Sequence, residues 1–175
     1  FEDSFEVLEL DYFKKSTILS FVDKLIQLKI FPDAIIHNAR SLETLKIEKN
    51  GESSDENLLG EYKVGVIGPY LLNNTLLNSS IGNNLKNIII ISSIYGVVGP
   101  TISLYDDFKN QSPIQYGITK AAQIHLCKEL AIRYADADIR VNTISYGGVE
   151  GRANEKFKKR YSNLTPLKDM LNLNE

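Results

Sequence analysis

Three side chains in this sequence are suited to acid–base chemistry at a carbonyl or hydroxyl group. Ser93 ends a run of isoleucines and serines, and Tyr116 and Lys120 follow it along the chain. Because about 3.6 residues make one helical turn, a tyrosine and a lysine at this spacing lie on the same face of a helix. A neighbouring positive charge favours the deprotonated phenol, so such a tyrosine can transfer protons near neutral pH. Ser93 supplies a hydroxyl from a second element.

The position of the lysine on its own helix supports this interpretation. In the helix predicted over 115–135, Lys120 lies in the middle of the apolar arc that also holds Leu126, Cys127 and Leu130. A solvated lysine does not belong in such an arc, so it needs a partner or a role. The alternative is an ordinary amphipathic helix whose lysine extends its ammonium group to water.

Alternating strands and helices are predicted to bring these residues together. The apolar patterns predict four strands, at 5–11, 34–39, 88–91 and 139–145. They predict three main helices, at 17–29, 58–80 and 115–135, with a further helical patch in the polar tail at 154–175. Ser16 is the predicted N-cap of the first helix, and Pro69 predicts a kink in the second. This order implies βαβ units and a parallel sheet that binds ligands at the C-terminal ends of its strands.

Composition excludes several classes of protein. The 175 residues suit one domain, with 43% hydrophobic and 24% charged residues. A net charge of −2 gives no electrostatic basis for binding nucleic acid or an anionic membrane. The single cysteine, Cys127, rules out an internal disulfide and predicts a reducing, cytoplasmic location. No membrane span, signal peptide or metal site is predicted, and the basic run at 156–160 is interpreted as a solvated helix face.

The pairing of Ser93-x-x-Gly96 with Tyr116-x-x-x-Lys120 resembles the short-chain dehydrogenase/reductase family. The resemblance implies an α/β fold, a Rossmann-like doubly wound parallel sheet, and hydride transfer between NAD or NADP and a carbonyl or alcohol. It also implies that Ser93 orients the substrate oxygen and that Tyr116 transfers the proton. Lys120 would hold the nicotinamide ribose and assist the tyrosine.

The same resemblance implies a set of cofactor-binding residues. Asp11 matches an aspartate that contacts the adenine ring, although a turn-capping aspartate is an equally good interpretation. Asn38 matches an asparagine near the cofactor, and the Val149 position bonds the nicotinamide carboxamide through its backbone. The implied cofactor-binding residues are Asp11, Asn38, Tyr116, Lys120, Gly147 and Val149.

Several positions depart from the family pattern. His37 and Arg40 replace an asparagine and a glycine, and Gly65 replaces an asparagine that helps to hold a proton-relay water. Arg40 predicts an altered site, or a contact with a cofactor phosphate or an acidic substrate. The glycine-rich Gly-x-x-x-Gly-x-Gly loop is missing, so residues 1–175 are predicted to form a partial domain that lacks the first βαβ unit and the last strand. With the second strand missing, NAD and NADP both remain open.

Substrate, assembly and alternative functions are predicted as follows. An insert near 101–112 should lie beside the substrate cleft and resembles members of flagellin-modification and surface-sugar biosynthesis, which suggests a sugar or sugar nucleotide. Pairing of the helices at 58–80 and 115–135 should give a homodimer or tetramer.

The first alternative function is that of a non-catalytic fragment that serves as a binding or assembly module. The second is a serine hydrolase, which would need His37 or His125 near Ser93.

Overall fold

A three-stranded parallel sheet lies at the centre of the computed structural model, which describes residues 5–151 and 153–172. The strands β1 (Ala34–His37), β2 (Asn87–Ser93) and β3 (Arg140–Tyr146) are neighbours in that order. The register pairs Ile35 with Ile88, and Ile88 with Val141. Because all three strands are parallel, their C-terminal ends meet at one edge of the sheet. The predicted α/β architecture is confirmed.

Helices connect the strands in the predicted order. The α-helices of the described residues are α1 (Lys15–Leu28), α2 (Asp55–Tyr62), α3 (Gly68–Leu77), α4 (Phe108–Gln111), α5 (Ile114–Arg133) and α6 (Glu155–Leu164). The helix predicted over 58–80 is thus divided into α2 and α3 by a π-helical turn, Lys63–Ile67. Within the described part of the chain, no helix is long and apolar enough to cross a bilayer.

The helices cover one face of the sheet. Ile88 and Ile90 are fully buried on that face, where they pack in one cluster with Cys127 and Leu130 of α5. A second cluster joins α1 to α3. On the opposite face, Ile36 and Ile144 are 63% and 41% exposed. The doubly wound sheet that the family resemblance implies has helices on both faces, whereas the described residues cover only one of them.

The predicted strand at 5–11 is wrong. Residues 5–11 form neither a strand nor a helix. An isolated strand leaves its backbone N–H and C=O groups unpaired, so alternating apolar and acidic residues are not sufficient without a neighbouring strand. The segment is held through its side chains instead, since Leu8 and Leu10 pack against the cluster between α1 and α3.

The predicted N-cap Ser16 is also wrong, because α1 begins at Lys15 and its N-cap residue is Lys14. Lys14 makes no side-chain cap hydrogen bond. The entry to the helix is fixed by Thr17, whose hydroxyl donates to the carbonyl oxygens of Asp11 and Lys14 at 2.5 and 2.7 Å. A side chain inside the first turn therefore ties the preceding segment to α1.

Candidate active site

The C-terminal end of β2 is fastened directly to α5. The Ser92 hydroxyl donates to the backbone oxygen of Lys120 at 2.9 Å, and the Ser93 hydroxyl accepts from the backbone N–H of Tyr95 at 3.2 Å. Gly96 allows the close approach, because a Cβ there would lie 2.6 Å from the backbone carbon and oxygen of Lys120. The Ser-x-x-Gly spacing therefore places a free serine side chain next to the helix that carries the tyrosine and lysine.

Tyr116 and Lys120 project from α5 into the same cleft as Ser93. The Lys120 ammonium donates to the Ile91 backbone oxygen at 2.9 Å and lies 5.6 Å from the centroid of the Tyr116 ring. Burial lowers the pKa of Lys120 to about 8; the carboxylate of Glu61 opposes this shift and the guanidinium of Arg40 adds to it. The ammonium is thus held between a backbone acceptor and the phenol ring.

An aromatic wall, formed by Tyr95, Tyr105, Phe157 and Tyr161, borders the cleft beside Tyr116. The Tyr95 and Tyr105 hydroxyls are 2.8 Å apart, and the Tyr95 ring meets the Tyr116 ring edge-to-face at 6.5 Å between centroids. Burial and the Tyr105 hydroxyl raise the pKa of Tyr95, so its phenol stays protonated. The wall lines the cleft with four aromatic rings, three of which carry a phenol hydroxyl.

The segment at 101–112 contributes Tyr105 to this wall and is held against α6. Tyr105 packs on Phe157 with 5.5 Å between ring centroids. The Arg160 guanidinium donates to the Asp106 carboxylate at 2.6 Å and holds the pKa of that carboxyl below its ordinary value. The predicted insert therefore lies beside the cleft, and part of the basic run on α6, interpreted from the sequence as a solvated face, anchors it.

The C-terminal end of β3 offers backbone groups. Leu171 forms a parallel bridge with Val149, in which its N–H donates to the Gly148 oxygen and its oxygen accepts from the Glu150 N–H, each at 2.9 Å. Both bonds are made by the neighbours of Val149 on this strand, Gly148 and Glu150. The N–H and C=O of Val149 itself form no backbone hydrogen bond with any other residue in 5–151 and 153–172. Val149 lines the cleft, so a donor and an acceptor are available there for a carboxamide.

The residues after β1 separate into two environments. Asn38 and Arg40 line the cleft, and the Arg40 guanidinium carbon lies 5.4 Å from the centroid of the Tyr116 ring. His37 points into the core, where its Nε2 is 2.9 Å from the Asn73 side-chain oxygen. Burial lowers the pKa of His37, so the imidazole is neutral at physiological pH.

Asp11 is the predicted site residue that does not join the cleft. Its carboxylate accepts from the Phe13 N–H at 2.8 Å and lies 3.6 Å from the Lys14 ammonium. These contacts correspond to the turn-capping interpretation. The other predicted site residues line one cleft of about 950 Å³, which extends from the strand ends over the open face of the sheet: Asn38, Ser93, Tyr116, Lys120, Gly147 and Val149.

Neither described histidine contacts Ser93. His37 bonds Asn73, and His125 is exposed on α5, with its Nε2 3.8 Å from Glu129. The serine hydrolase alternative therefore has no base beside its nucleophile. Over the described residues there is also no group of three or more His, Cys, Asp or Glu side chains that could hold a metal ion.

Buried polar side chains form hydrogen bonds between the elements that pack around the site. The Gln123 amide donates to the Gly65 oxygen at 3.0 Å, and the Thr44 hydroxyl donates to the buried Glu61 carboxylate at 2.6 Å. Pro69 explains the first bond. It has no N–H to donate to the carbonyl four residues earlier, so the Gly65 oxygen needs another donor.

Sequence reasoning missed two features of this site. The aromatic wall joins residues about 60 positions apart, and only the local enrichment of Tyr and Phe could have suggested it. The contact between the Arg40 guanidinium and the Tyr116 ring depends on how β1 and α5 are placed relative to each other. Neither arrangement has a short-range spacing signal.

Comparison with known proteins agrees with this geometry. A sequence model described as enoyl-(acyl carrier protein) reductase matches residues 2–175. The chain belongs to the short-chain dehydrogenase/reductase family. It is 36% identical to the post-translational flagellin modification protein A of Campylobacter coli over 85 residues, which is 49% of this chain and 33% of that protein. It is 31% identical to glucose 1-dehydrogenase 2 of Bacillus subtilis over 106 residues, 60% of this chain and 37% of that enzyme.

A solved relative shows the same fold around a bound cofactor. A short-chain dehydrogenase from Leptospira borgpetersenii, crystallised with NAD⁺, superposes with a TM-score of 0.79 at 29% identity. The superposition covers 93% of this chain and 61% of that one. The alignments to the two curated relatives span about a third of each protein's length.

Proposed function

We propose that this chain carries the catalytic part of an NAD- or NADP-dependent oxidoreductase that acts on a carbonyl/alcohol pair. The observation that carries the proposal is the convergence of Ser93, Tyr116 and Lys120 in one cleft at the strand ends. Family membership and the NAD⁺ bound in the Leptospira relative support it.

The residues present fit a nicotinamide nucleotide. The N–H and C=O of Val149 suit the donor and acceptor of a carboxamide, and Lys120 and Asn38 supply polar groups along the cleft. Gly147 also has little room for a side chain, because a Cβ there would lie 2.9 Å from the Tyr161 hydroxyl. The nicotinamide, when bound, supplies or accepts the hydride. Asp11 remains a predicted adenine contact, although it lies outside the cleft lining.

The protein side chains handle the proton. Tyr116 acts as general acid when a carbonyl is reduced and as general base in the reverse direction. The Ser93 hydroxyl, which already accepts from the Tyr95 N–H, donates its proton to the substrate oxygen and orients it. Lys120, protonated at neutral pH, lies beside the Tyr116 ring, so its charge stabilises the phenolate left after proton transfer.

A sugar or sugar nucleotide is the proposed substrate. Aromatic rings next to phenol hydroxyls suit a polyhydroxylated ring, and the aromatic wall provides both. The name of the glucose 1-dehydrogenase relative points in the same direction. We also propose a homodimer or tetramer, because Leu59 of α2 and Ile118 of α5 are 70% and 50% exposed on packed helices.

We further propose a cytoplasmic location, which accords with the free, buried Cys127. Fractionation of source cells would test this location.

The substitution Tyr116→Phe tests the chemistry. Removing the phenol oxygen should lower NADH- or NADPH-dependent turnover of a carbonyl sugar by about 10²-fold or more, because general acid–base catalysis contributes at least that much. Tyr70→Phe is the matched control, since Tyr70 lies on α3 outside the cleft lining. Circular dichroism should be unchanged for both variants. Full turnover by Tyr116→Phe would refute the assignment.

The second candidate is a binding or assembly module without turnover. It is favoured by the open face of the sheet, where Ile36 and Ile144 are exposed. The same assay separates the two functions. Cofactor-dependent turnover by the unmodified chain excludes the module, and cofactor-independent assembly without any turnover favours it.

A further inference from the structure

Two cations share the Tyr116 ring. Arg40 follows β1 by three residues, and its guanidinium carbon lies 5.4 Å from the ring centroid. The Lys120 ammonium lies 5.6 Å from the same centroid. The chain as a whole has a net charge of −2, so the positive charge is a local property of the cleft.

Neither Arg40 nor Lys120 forms an ion pair with a described carboxylate, although the buried Glu61 carboxylate acts on Lys120 from beyond ion-pair distance. Within residues 5–151 and 153–172, no carboxylate lies within 4.0 Å of the Arg40 or Lys120 nitrogens. Glu150 is the acid among the described lining residues, and its carboxylate lies 3.8 Å from the Lys158 ammonium. A cleft whose arginine and lysine both lack a paired carboxylate concentrates anions.

The contact with the ring leaves Arg40 free to bind. The structure gives Arg40 no hydrogen bond or ion pair among the described residues, so its guanidinium N–H groups remain available as donors. That planar fork matches the two oxygens of a carboxylate or phosphate. The Tyr116 ring also restrains the long arginine side chain, which reduces the entropy lost when an anion binds.

We propose that Arg40 is the anion receptor of the cleft and binds a carboxylate or phosphate group on the molecule that lies against Tyr116. The identity of that molecule as substrate or cofactor rests on the proposed function, whereas the anion site itself does not. An acidic sugar and the phosphates of a nicotinamide nucleotide share this chemistry.

Equilibrium titration calorimetry with two matched pairs of probes distinguishes the sources. Glucuronate is compared with glucose, and NADH with the uncharged reduced nicotinamide riboside. The unmodified chain should bind the anionic member of at least one pair about tenfold more tightly. Arg40→Gln should remove that preference. Loss in the sugar pair assigns the anion to the substrate, and loss in the nicotinamide pair assigns it to the cofactor.

Arg140→Gln is the matched control, because it also removes one arginine charge. Arg140 is the exposed first residue of β3, and the cleft lies at the other end of this strand. It should leave both preferences unchanged. Arg40→Lys keeps the charge without the fork, so it should retain only part of the preference, and it replaces Arg40→Gln if that variant fails to fold.

Three results would overturn the assignment: no anion preference in the unmodified chain, an unchanged preference in Arg40→Gln, or an equal loss in Arg140→Gln. Binding at equilibrium requires no turnover. An Arg40-dependent preference without NADH oxidation therefore refutes the proposed function and supports the anion site. Turnover without an anion preference supports the proposed function and refutes the anion site.

Discussion

Replacing Gly96 with alanine should separate the two elements that carry the catalytic candidates. An ideal Cβ at Gly96 lies 2.6 Å from the backbone carbon and oxygen of Lys120 and 2.8 Å from the backbone nitrogen of Ala121. These are backbone atoms, so no change of rotamer relieves the contact. Ordinary van der Waals contact begins at 3.4 Å, which requires α5 to move by about 0.8 Å.

The size of the effect follows from this displacement. Overpacking of a tight contact costs about 1–3 kcal/mol. For a domain of this size each kcal/mol lowers the melting temperature by about 2–4 °C, so we expect a decrease of about 5 °C. A misplacement approaching 1 Å at a catalytic group can cost about 10²-fold in rate. Gly96→Ala should therefore reduce turnover far more than its stability loss alone would.

Thermal unfolding followed by circular dichroism, together with NADH-dependent turnover, measures both effects. Gly99→Ala is the matched control, since a Cβ at Gly99 has no described heavy atom within 4 Å, and its melting temperature should change by less than about 1 °C. Equal melting temperatures for the two variants would refute the close approach. A lowered melting temperature with full turnover would show that the displacement does not reach Tyr116 and Lys120.

Two further predictions concern α5. Burial holds the pKa of Lys120 at about 8, below its ordinary 10.5, so the unfolded state binds more protons between these values. The free energy of unfolding should therefore rise from about pH 8 to 10.5 relative to Lys120→Met in urea titrations, and parallel pH profiles would contradict this. Ile118→Glu should dissociate the proposed oligomer, as measured by size exclusion with light scattering, whereas Leu167→Glu, at an 89% exposed position, should not; an unchanged mass for Ile118→Glu would exclude α5 from the interface.

Local patterns were sufficient for most of the fold. The isoleucine run and the helical periodicity around it predicted β2 and α5 within a few residues, because burial on a pleated or helical surface imposes those periods. The segment at 5–11 shows the limit of this reasoning. Its alternating apolar and acidic side chains suit a strand that is buried on one face. Its backbone N–H and C=O groups would also need a neighbouring strand, which must come from another part of the sequence.

The site was predictable where its residues are fixed by neighbouring elements. Ser93 and the pair Tyr116 and Lys120 lie on β2 and on the helix that follows it, so the βαβ order alone brings them to one edge. The orientation of Arg40 was not predictable, because it depends on how α5 is placed relative to the loop that follows β1. Asp11 lies outside the cleft lining, and its carboxylate satisfies the local turn that starts α1.

The glycine at position 65 shows how packing limits the chemistry. Pro69 leaves the Gly65 oxygen without its helical donor, and the Gln123 amide satisfies it at 3.0 Å. A Cβ at Gly65 would lie 2.4 Å from Thr119 Cγ2, so a side chain there would displace α5, the helix that carries Tyr116 and Lys120. The position matched by the family's asparagine thus serves packing in this chain. In the proposed mechanism, proton exchange between Tyr116 and solvent would therefore use groups that line the cleft.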